Sequence, residues 1–367
     1  MKPKEIFTYL TLFCAATLVF ITGPGCRRSV ESLQEEVPEG AAMYYWKTVF
    51  CLDSAETAFL SANDVRTLYI RFFDVVEGEQ GEPVPNATIT FAGRLPQGVG
   101  FVPVVFIDNR CLGNSSLQTE SGRDDFAEAI VMRISRMCAT HDLGMPDEIQ
   151  LDCDWTEKSR RFFFDILSHA GELARDKGMR LSATIRLHQL SQEAPPVDYG
   201  VLMVYNTGDF RNPDSRNPVL DEADVEPYLG YVADYPLGLC AAYPIFRWPV
   251  MYGRSPETGK TEFRGFLYGV RPDSMPELWR KTAPEEWTAI GSRRLVSARG
   301  DGDRRFRVVP GMRLRIFSPP PYEVTRRIES KLGESRKGIN SRVILYDLDR
   351  SNIKIYTENE IKEILHP

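Results

Sequence analysis

Asp152 and Asp154 lie two residues apart in the segment 147–155. In a strand, side chains alternate with period two. Gln150, Asp152 and Asp154 therefore share one face, and Ile149, Leu151 and Cys153 share the other. Two carboxylates on one strand face cannot sit in an apolar core without cations, hydrogen bonds or water. A strand end that opens into a cleft supplies all three. There the pair can act as base, nucleophile or electrostatic support, as in glycoside hydrolysis, where paired carboxylates flank an oxocarbenium-like transition state. The structural alternative is that Arg186, on the neighbouring strand, neutralises Asp152 inside the fold.

The elements that must position this pair alternate along the chain. Strands are expected at 43–50, 67–75, 101–107, 147–155, 179–188, 199–205, 238–246 and 342–348, with an extra hairpin strand at 87–92. Helices are expected at 54–62, 124–140, 156–177, 221–233, 322–332 and 357–365. The second carries Phe126, Ile130, Ile134 and Met137 at helical spacing, and Thr156 is the expected N-cap of the third. Eight strands alternating mostly with helices fit a (β/α)8 barrel, an α/β fold, over residues 41–367. The alternation breaks at 250–318, where Gly, Pro and Arg cluster around short strand-like pieces. This stretch reads as a β-rich insertion after strand seven.

In such barrels the active site lies at the C-terminal strand ends. Those ends carry Arg71 and Asp74, Asp108, Asp152 and Asp154, Arg186 and His188, Tyr205 and Asn206 with Asp209 beyond, Trp248, and Asp347 and Asp349. Asp154 is the expected carboxylate at a reacting centre, with Asp152 and Arg186 holding its charge state. Tyr205 and Asn206 would orient a substrate, and Asp209, His188 or Asp349 would supply an acid. His188 also reads as a hydrogen-bonded lining histidine. Trp46, Trp155, Tyr205, Tyr243 and Trp248 are aromatic candidates for stacking on sugar rings, with Trp248 foremost; aromatic rings serve equally in core packing.

Other totals narrow the class. A net charge of -6 without a long basic run excludes a nucleic-acid surface. The four histidines are scattered, no CxxC occurs, and neither GxGxxG nor a P-loop is present, so no metal or cofactor is expected. The five cysteines beyond residue 40 permit one disulfide without choosing a pair. At the N-terminus, Lys2 and Lys4 precede an apolar run at 10–21, too short to span a membrane, and then Gly23-Pro24-Gly25-Cys26. Residues 1–26 resemble a bacterial lipoprotein signal ending at a lipidated Cys26, and 27–40 read as a flexible tether. The alternative is cleavage near Gly25 without lipid. Either way the mature chain is expected to be exported to the cell envelope. With the lipid it would be membrane-anchored.

Two short motifs resemble family-18 chitinase-type barrels. Asp152-Cys153-Asp154-Trp155 is similar to the DxDW core of that family's DGxDxDxE strand, and Met203-Val204-Tyr205-Asn206 to its MxYD strand. The resemblance implies a glycan ligand and roles for Asp152, Asp154 and Tyr205. Ile149 stands at the position of the family's first Asp, Thr156 at that of its catalytic Glu, and Asn206 at that of its strand-six Asp. Over 43–250 the chain also resembles a group of bacterial lipoproteins with a sugar-hydrolase-like barrel, which implies a fold and no activity. Two functions are therefore carried forward. One is a glycoside hydrolase acting on a polysaccharide or peptidoglycan-type substrate. The other is a non-catalytic carbohydrate-binding or envelope-assembly lipoprotein.

Overall fold

Eight strands pair edge to edge, all parallel, and close on themselves. They are β1 Gly40–Tyr45, β2 Thr67–Glu77, β3 Gly100–Ile107, β4 Glu148–Asp152, β5 Arg180–Arg186, β6 Tyr199–Met203, β7 Leu239–Pro244 and β8 Arg342–Tyr346. Each pairs with its sequence neighbours, and β1 closes the ring by pairing with both β2 and β8. This computed structural model describes residues 37–298 and 303–367. The leader expected at 1–26, Cys26, and the tether through residue 36 lie outside the described residues. Gly40, assigned to the tether, instead opens β1.

The strands are buried on both faces, so their alternation separates two cores. On β1, Ala41, Met43 and Tyr45 face the outer helices, whereas Ala42 and Tyr44 join the cluster inside the ring. On β4, Ile149 and Leu151 pack outward. Glu148, Gln150 and Asp152 turn inward, and all three are buried. Each finds partners on neighbouring strands. Glu148 accepts from the Ser182 hydroxyl (2.6 Å) and the Tyr199 hydroxyl (2.5 Å). Gln150 accepts from Tyr44 (2.7 Å) and donates to Ser182 (3.1 Å). Asp152 accepts from Thr184 (2.6 Å). Tyr199 and Tyr69 share a 2.7 Å hydroxyl contact, and Arg342 donates to Tyr69 (3.1 Å). A polar column thus runs up the barrel axis.

Helices α1 Ser54–Ala62, α2 Glu120–Thr140, α3 Arg160–Arg175, α4 Glu222–Val225, α5 Leu229–Asp234, α6 Tyr322–Ser335 and α7 Glu358–Leu365 lie in the connections. Three departures from expectation have local causes. The third helix starts at Arg160, not Thr156, because Thr156 and Ser159 form a turn: the Thr156 N–H donates to Ser159 Oγ (3.0 Å), which donates to Asn109 Oδ1 (2.5 Å). The helix expected at 221–233 is split around Pro227, whose ring removes a backbone donor. The strand expected at 87–92 shortens to Thr90–Phe91, which pairs with Val49–Phe50, and the hairpin partner of β2 is instead Pro83–Asn86, paired antiparallel just before it.

Between β7 and α6, residues 248–317 form a five-stranded antiparallel sheet and a separate hairpin. Their own core includes Met251, Leu267, Trp279, Trp287 and Leu314. Cys51, Cys111, Cys138, Cys153 and Cys240 are all free, so the permitted disulfide is not formed.

Tyr199→Phe tests the polar column. It leaves Glu148 and Tyr69 each short of a buried partner. The unfolding free energy should fall by roughly 1–3 kcal/mol, read by urea denaturation followed by tryptophan fluorescence. An unchanged midpoint would show that the hydroxyl contributes nothing.

Candidate functional site

A cavity of about 350 Å³ opens at the C-terminal end of the barrel. Its charged lining is Arg71, Asp74, Asp152, Asp154 and Arg186, and its rings are Trp46, Phe106, Tyr205 and Tyr346. Met203 and Asn206 complete the wall.

Each side chain arrives by a local device. Residues three apart in a regular strand point to opposite faces. The pairing of β2 with β3 shifts register between Arg71 and Phe73, and this bulge turns Arg71 and Asp74 to the same side. They form a two-bond ion pair, with Arg71 Nε to Asp74 Oδ1 at 2.6 Å and Nη2 to Oδ2 as the second contact. Asp152 ends β4, and Asp154 follows it onto the rim, where its side chain is 53% exposed. Arg186 ends β5 and donates through Nε to Asp154 Oδ1 at 2.5 Å. Asn206 turns the chain at φ 57°, and its N–H donates to the Val219 carbonyl (2.8 Å). This places Tyr205 against Tyr346, stacked at 4.9 Å with 24° between planes. Trp46 lies 5.5 Å from Tyr346, with the Arg71 guanidinium 5.7 Å from the Trp46 ring.

Burial pushes the Asp152 carboxyl up to about 6. The attraction of Arg186 and the Thr184 hydrogen bond oppose the rise, and the Asp154 charge adds to it. Burial works against the Arg186 charge, but Asp154 and Asp152 outweigh it and hold the guanidinium ionised. Burial raises the Tyr205 phenol, which stays neutral. Arg186 Nη1 and Tyr205 Oη are buried and, among the described residues, have no hydrogen-bond partner. Two pocket residues therefore keep a donor for an acceptor the protein does not supply.

The structure brings Asp152, Asp154, Arg186, Tyr205 and Asn206 together. Arg186 forms its ion pair with Asp154, while the direct bond to Asp152 comes from Thr184. The other expected residues sit elsewhere. His188 lies in the turn Leu187–Ser191 beside the pocket; its partial covering lowers its pKa. Asp209 is exposed and accepts from the Arg211 N–H at 2.9 Å. Asp349 faces Lys47 (3.3 Å) and accepts from Ser351 (2.5 Å). None of these three lines the pocket. Trp248 packs between Phe210, Phe246 and Phe266 at 4.9, 5.4 and 5.6 Å and joins the insertion to the barrel. Trp155 and Tyr243 are buried in the outer core.

Sequence reasoning placed Arg71 and Asp74 at a strand end without seeing them as a pair, and it missed Tyr346. Ordinary strand alternation hides the first, since only the bulge aligns them. Nothing in 342–348 marks Tyr346 apart from its position at the strand end.

No family model and no curated protein matches the sequence. Solved structures do. The C-terminal chitinase-type domain from Desulfitobacterium hafniense is 11% identical with a TM-score of 0.55, covering 90% of this chain and 100% of that one. The Bacillus megaterium spore cortex-lytic enzyme SleL is 12% identical with a TM-score of 0.51, covering 90% and 74%. The Chromobacterium violaceum chitinase is 15% identical with a TM-score of 0.50, covering 90% and 100%. At these identities the likeness establishes the fold. This chain is a (β/α)8 barrel whose fold is similar to that of chitinases of known structure.

The folded chain holds a proton on Asp152 up to about pH 6, whereas an unperturbed aspartate releases it near 3.8. The unfolded state binds fewer protons in that window, so this residue's contribution to stability falls as pH rises through it. The unfolding free energy of wild type minus that of Asp152→Asn should therefore be smaller at pH 7 than at pH 4.5. A difference that is constant or grows with pH would refute the raised value.

Proposed function

We propose that the protein is an envelope carbohydrate-binding barrel whose pocket holds a sugar residue without cleaving its glycosidic bond. One observation carries this reading: every carboxylate that reaches the pocket is already engaged. Asp74 is held by Arg71, Asp154 by Arg186 and Asp152 by Thr184. A general acid needs a proton and reach to the leaving oxygen. Thr156, at the position of the family's acid, is an exposed turn residue bonded to Ser159.

Binding has what it needs. The stacked Tyr205 and Tyr346 rings, with Trp46, offer an apolar wall to a sugar ring. Arg186 Nη1 and Tyr205 Oη await an acceptor. Chitinases and a cortex-lytic enzyme among the structural neighbours support glycan as the ligand class. One feature favours hydrolysis as a second reading: Asp152 keeps a proton to about pH 6 beside ionisable Asp154, an arrangement that can split acid and base roles.

The deciding experiment incubates wild type and Asp154→Asn with chitin oligosaccharides, peptidoglycan fragments and host-type glycans, and scores binding and turnover together. Binding without turnover in wild type, weakened roughly tenfold or more in the variant as Arg186 loses its ionic partner, is the expected result. Turnover in wild type that the variant loses would overturn the non-catalytic reading and identify an enzyme. No binding to any glycan would remove both readings.

Exported, lipid-anchored placement in the envelope belongs to the same proposal, on the strength of the 1–26 leader pattern ending at Cys26. Cells fed an alkyne-tagged fatty acid should label the wild-type protein and not Cys26→Ala. Equal labelling of both would exclude Cys26 as the lipid site.

A further inference from the structure

Charge is divided unevenly along this acidic chain. Residues 248–317 contain 14 Lys and Arg against 8 Asp and Glu, while the rest of the chain contains 31 against 43. The insertion is thus a basic body on an acidic barrel.

Its basic side chains are concentrated on the hairpin Arg293–Ala298 and Asp303–Val308. The inner face of the hairpin turns Leu295, Phe306 and Val308 into the core of the insertion. The outer face presents Arg294, Val296, Arg305 and Arg307, all exposed. Arg294 stands directly opposite Arg307 in the register, and Val296 opposite Arg305. Like charges directly opposite destabilise a strand pair. Arg293, by contrast, has a carboxylate partner in Glu277 at 3.3 Å. Among the described residues, Arg294, Arg305 and Arg307 have none. Three exposed guanidiniums on one face of a hairpin match an anionic ligand with repeated charges.

The hairpin is also tied to the segment 266–268 of the insertion. Ser297 donates to the Phe266 carbonyl (2.8 Å) and accepts from the Tyr268 N–H (2.9 Å). Tyr268 lines a second cavity, of about 910 Å³, between the insertion and the loop after β8. Arg247, Arg271 and Trp287 line it as well. Its cations are Arg247, Arg271 and Lys281 and its acids Asp273, Glu285 and Asp349; Asp273 accepts from the Trp287 indole and Asp349 is paired with Lys47 (3.3 Å). Cations beside aromatic rings suit charged sugars better than bare phosphate, because the rings accept sugar faces.

From this arrangement we infer that the insertion is a docking module for an anionic polysaccharide, one bearing carboxylates or phosphates along its length. It deepens the glycan-directed reading, on which it rests, by giving the polymer a sign of charge. The occupant is a polymer because charges repeated along a chain match several guanidiniums on one face.

The test uses the full-length protein in neutral detergent and its triple variant Arg294→Gln, Arg305→Gln, Arg307→Gln. These side chains are exposed, so the thermal midpoint should hold, and the melt is recorded first. The probes are polygalacturonate, neutral dextran, phosphatidylglycerol vesicles and duplex DNA. Wild type should bind polygalacturonate, weaken steeply between 50 and 300 mM salt, and ignore dextran. The triple variant should lose roughly tenfold or more in affinity and most of the salt dependence. Asp154→Asn, run in parallel, reads the pocket's share of the binding. Loss in Asp154→Asn alone would assign the polymer to the pocket and overturn the docking role of the hairpin. Equal binding by wild type and the triple variant would also overturn it. Tighter binding to vesicles or DNA than to polygalacturonate would replace the polysaccharide with that surface. Failure of short neutral glycans to bind the pocket, with the triple-variant effect intact, would sink the pocket reading and leave the docking module standing.

Discussion

The alternation of β4 inside a closed ring of strands is the constraint on which the rest of this structure depends. A parallel barrel buries both faces of every strand, so the inward residues of β4 have no route to bulk water along most of its length. Glu148, Gln150 and Asp152 must therefore be matched from other strands of the ring, and they are, by Ser182 and Thr184 of β5, Tyr199 of β6 and Tyr44 of β1. The same register carries the column upward until the strand ends and Asp154 reaches the rim. A shift of one residue would turn Ile149 and Leu151 inward and drive the three polar residues against the helices. The column thus fixes which face of β4 forms the pocket.

At the mouth the column gives way to ion pairs. Arg186 answers Asp154, and Arg71 answers Asp74 across the bulge in β2. Buried or half-buried charges are stable only when paired. Here the pairing also limits chemistry, because an engaged carboxylate is a poorer acid or nucleophile than a free one. What the pocket retains is stacked rings, two donors without a partner among the described residues, and fixed charges of both signs. The insertion adds exposed cations on the face of its hairpin.

Much of this was legible in the sequence. The β-α alternation announced the barrel, the break at 250–318 announced the insertion, and Asp152, Asp154, Arg186, Tyr205 and Asn206 were drawn to one pocket by their strand-end positions alone. Other expected residues lie outside the pocket lining for identifiable reasons. His188, Asp209 and Asp349 follow strand ends, but loops set their direction, and strand periodicity says nothing about a loop. Trp248 has the composition of a cleft residue, yet the aromatic cluster it completes includes Phe210 and Phe266, from segments distant in sequence. The basic bias of the insertion was countable, but it became a surface only when the hairpin register turned three arginines to one side.

By itself, the sequence determined the quantities that depend on local order. These were strand alternation, helix periodicity, the division between barrel and insertion, and the lack of the family's Glu at position 156. Tertiary structure decided which residues meet. Ring closure set the partners of the buried column, a register shift aligned Arg71 with Asp74, and packing of β8 brought Tyr346 against Tyr205. The physical reason is that periodicity fixes the direction of a side chain relative to its own backbone. Contacts between strands more than 100 residues apart depend on register and closure, which no single segment encodes.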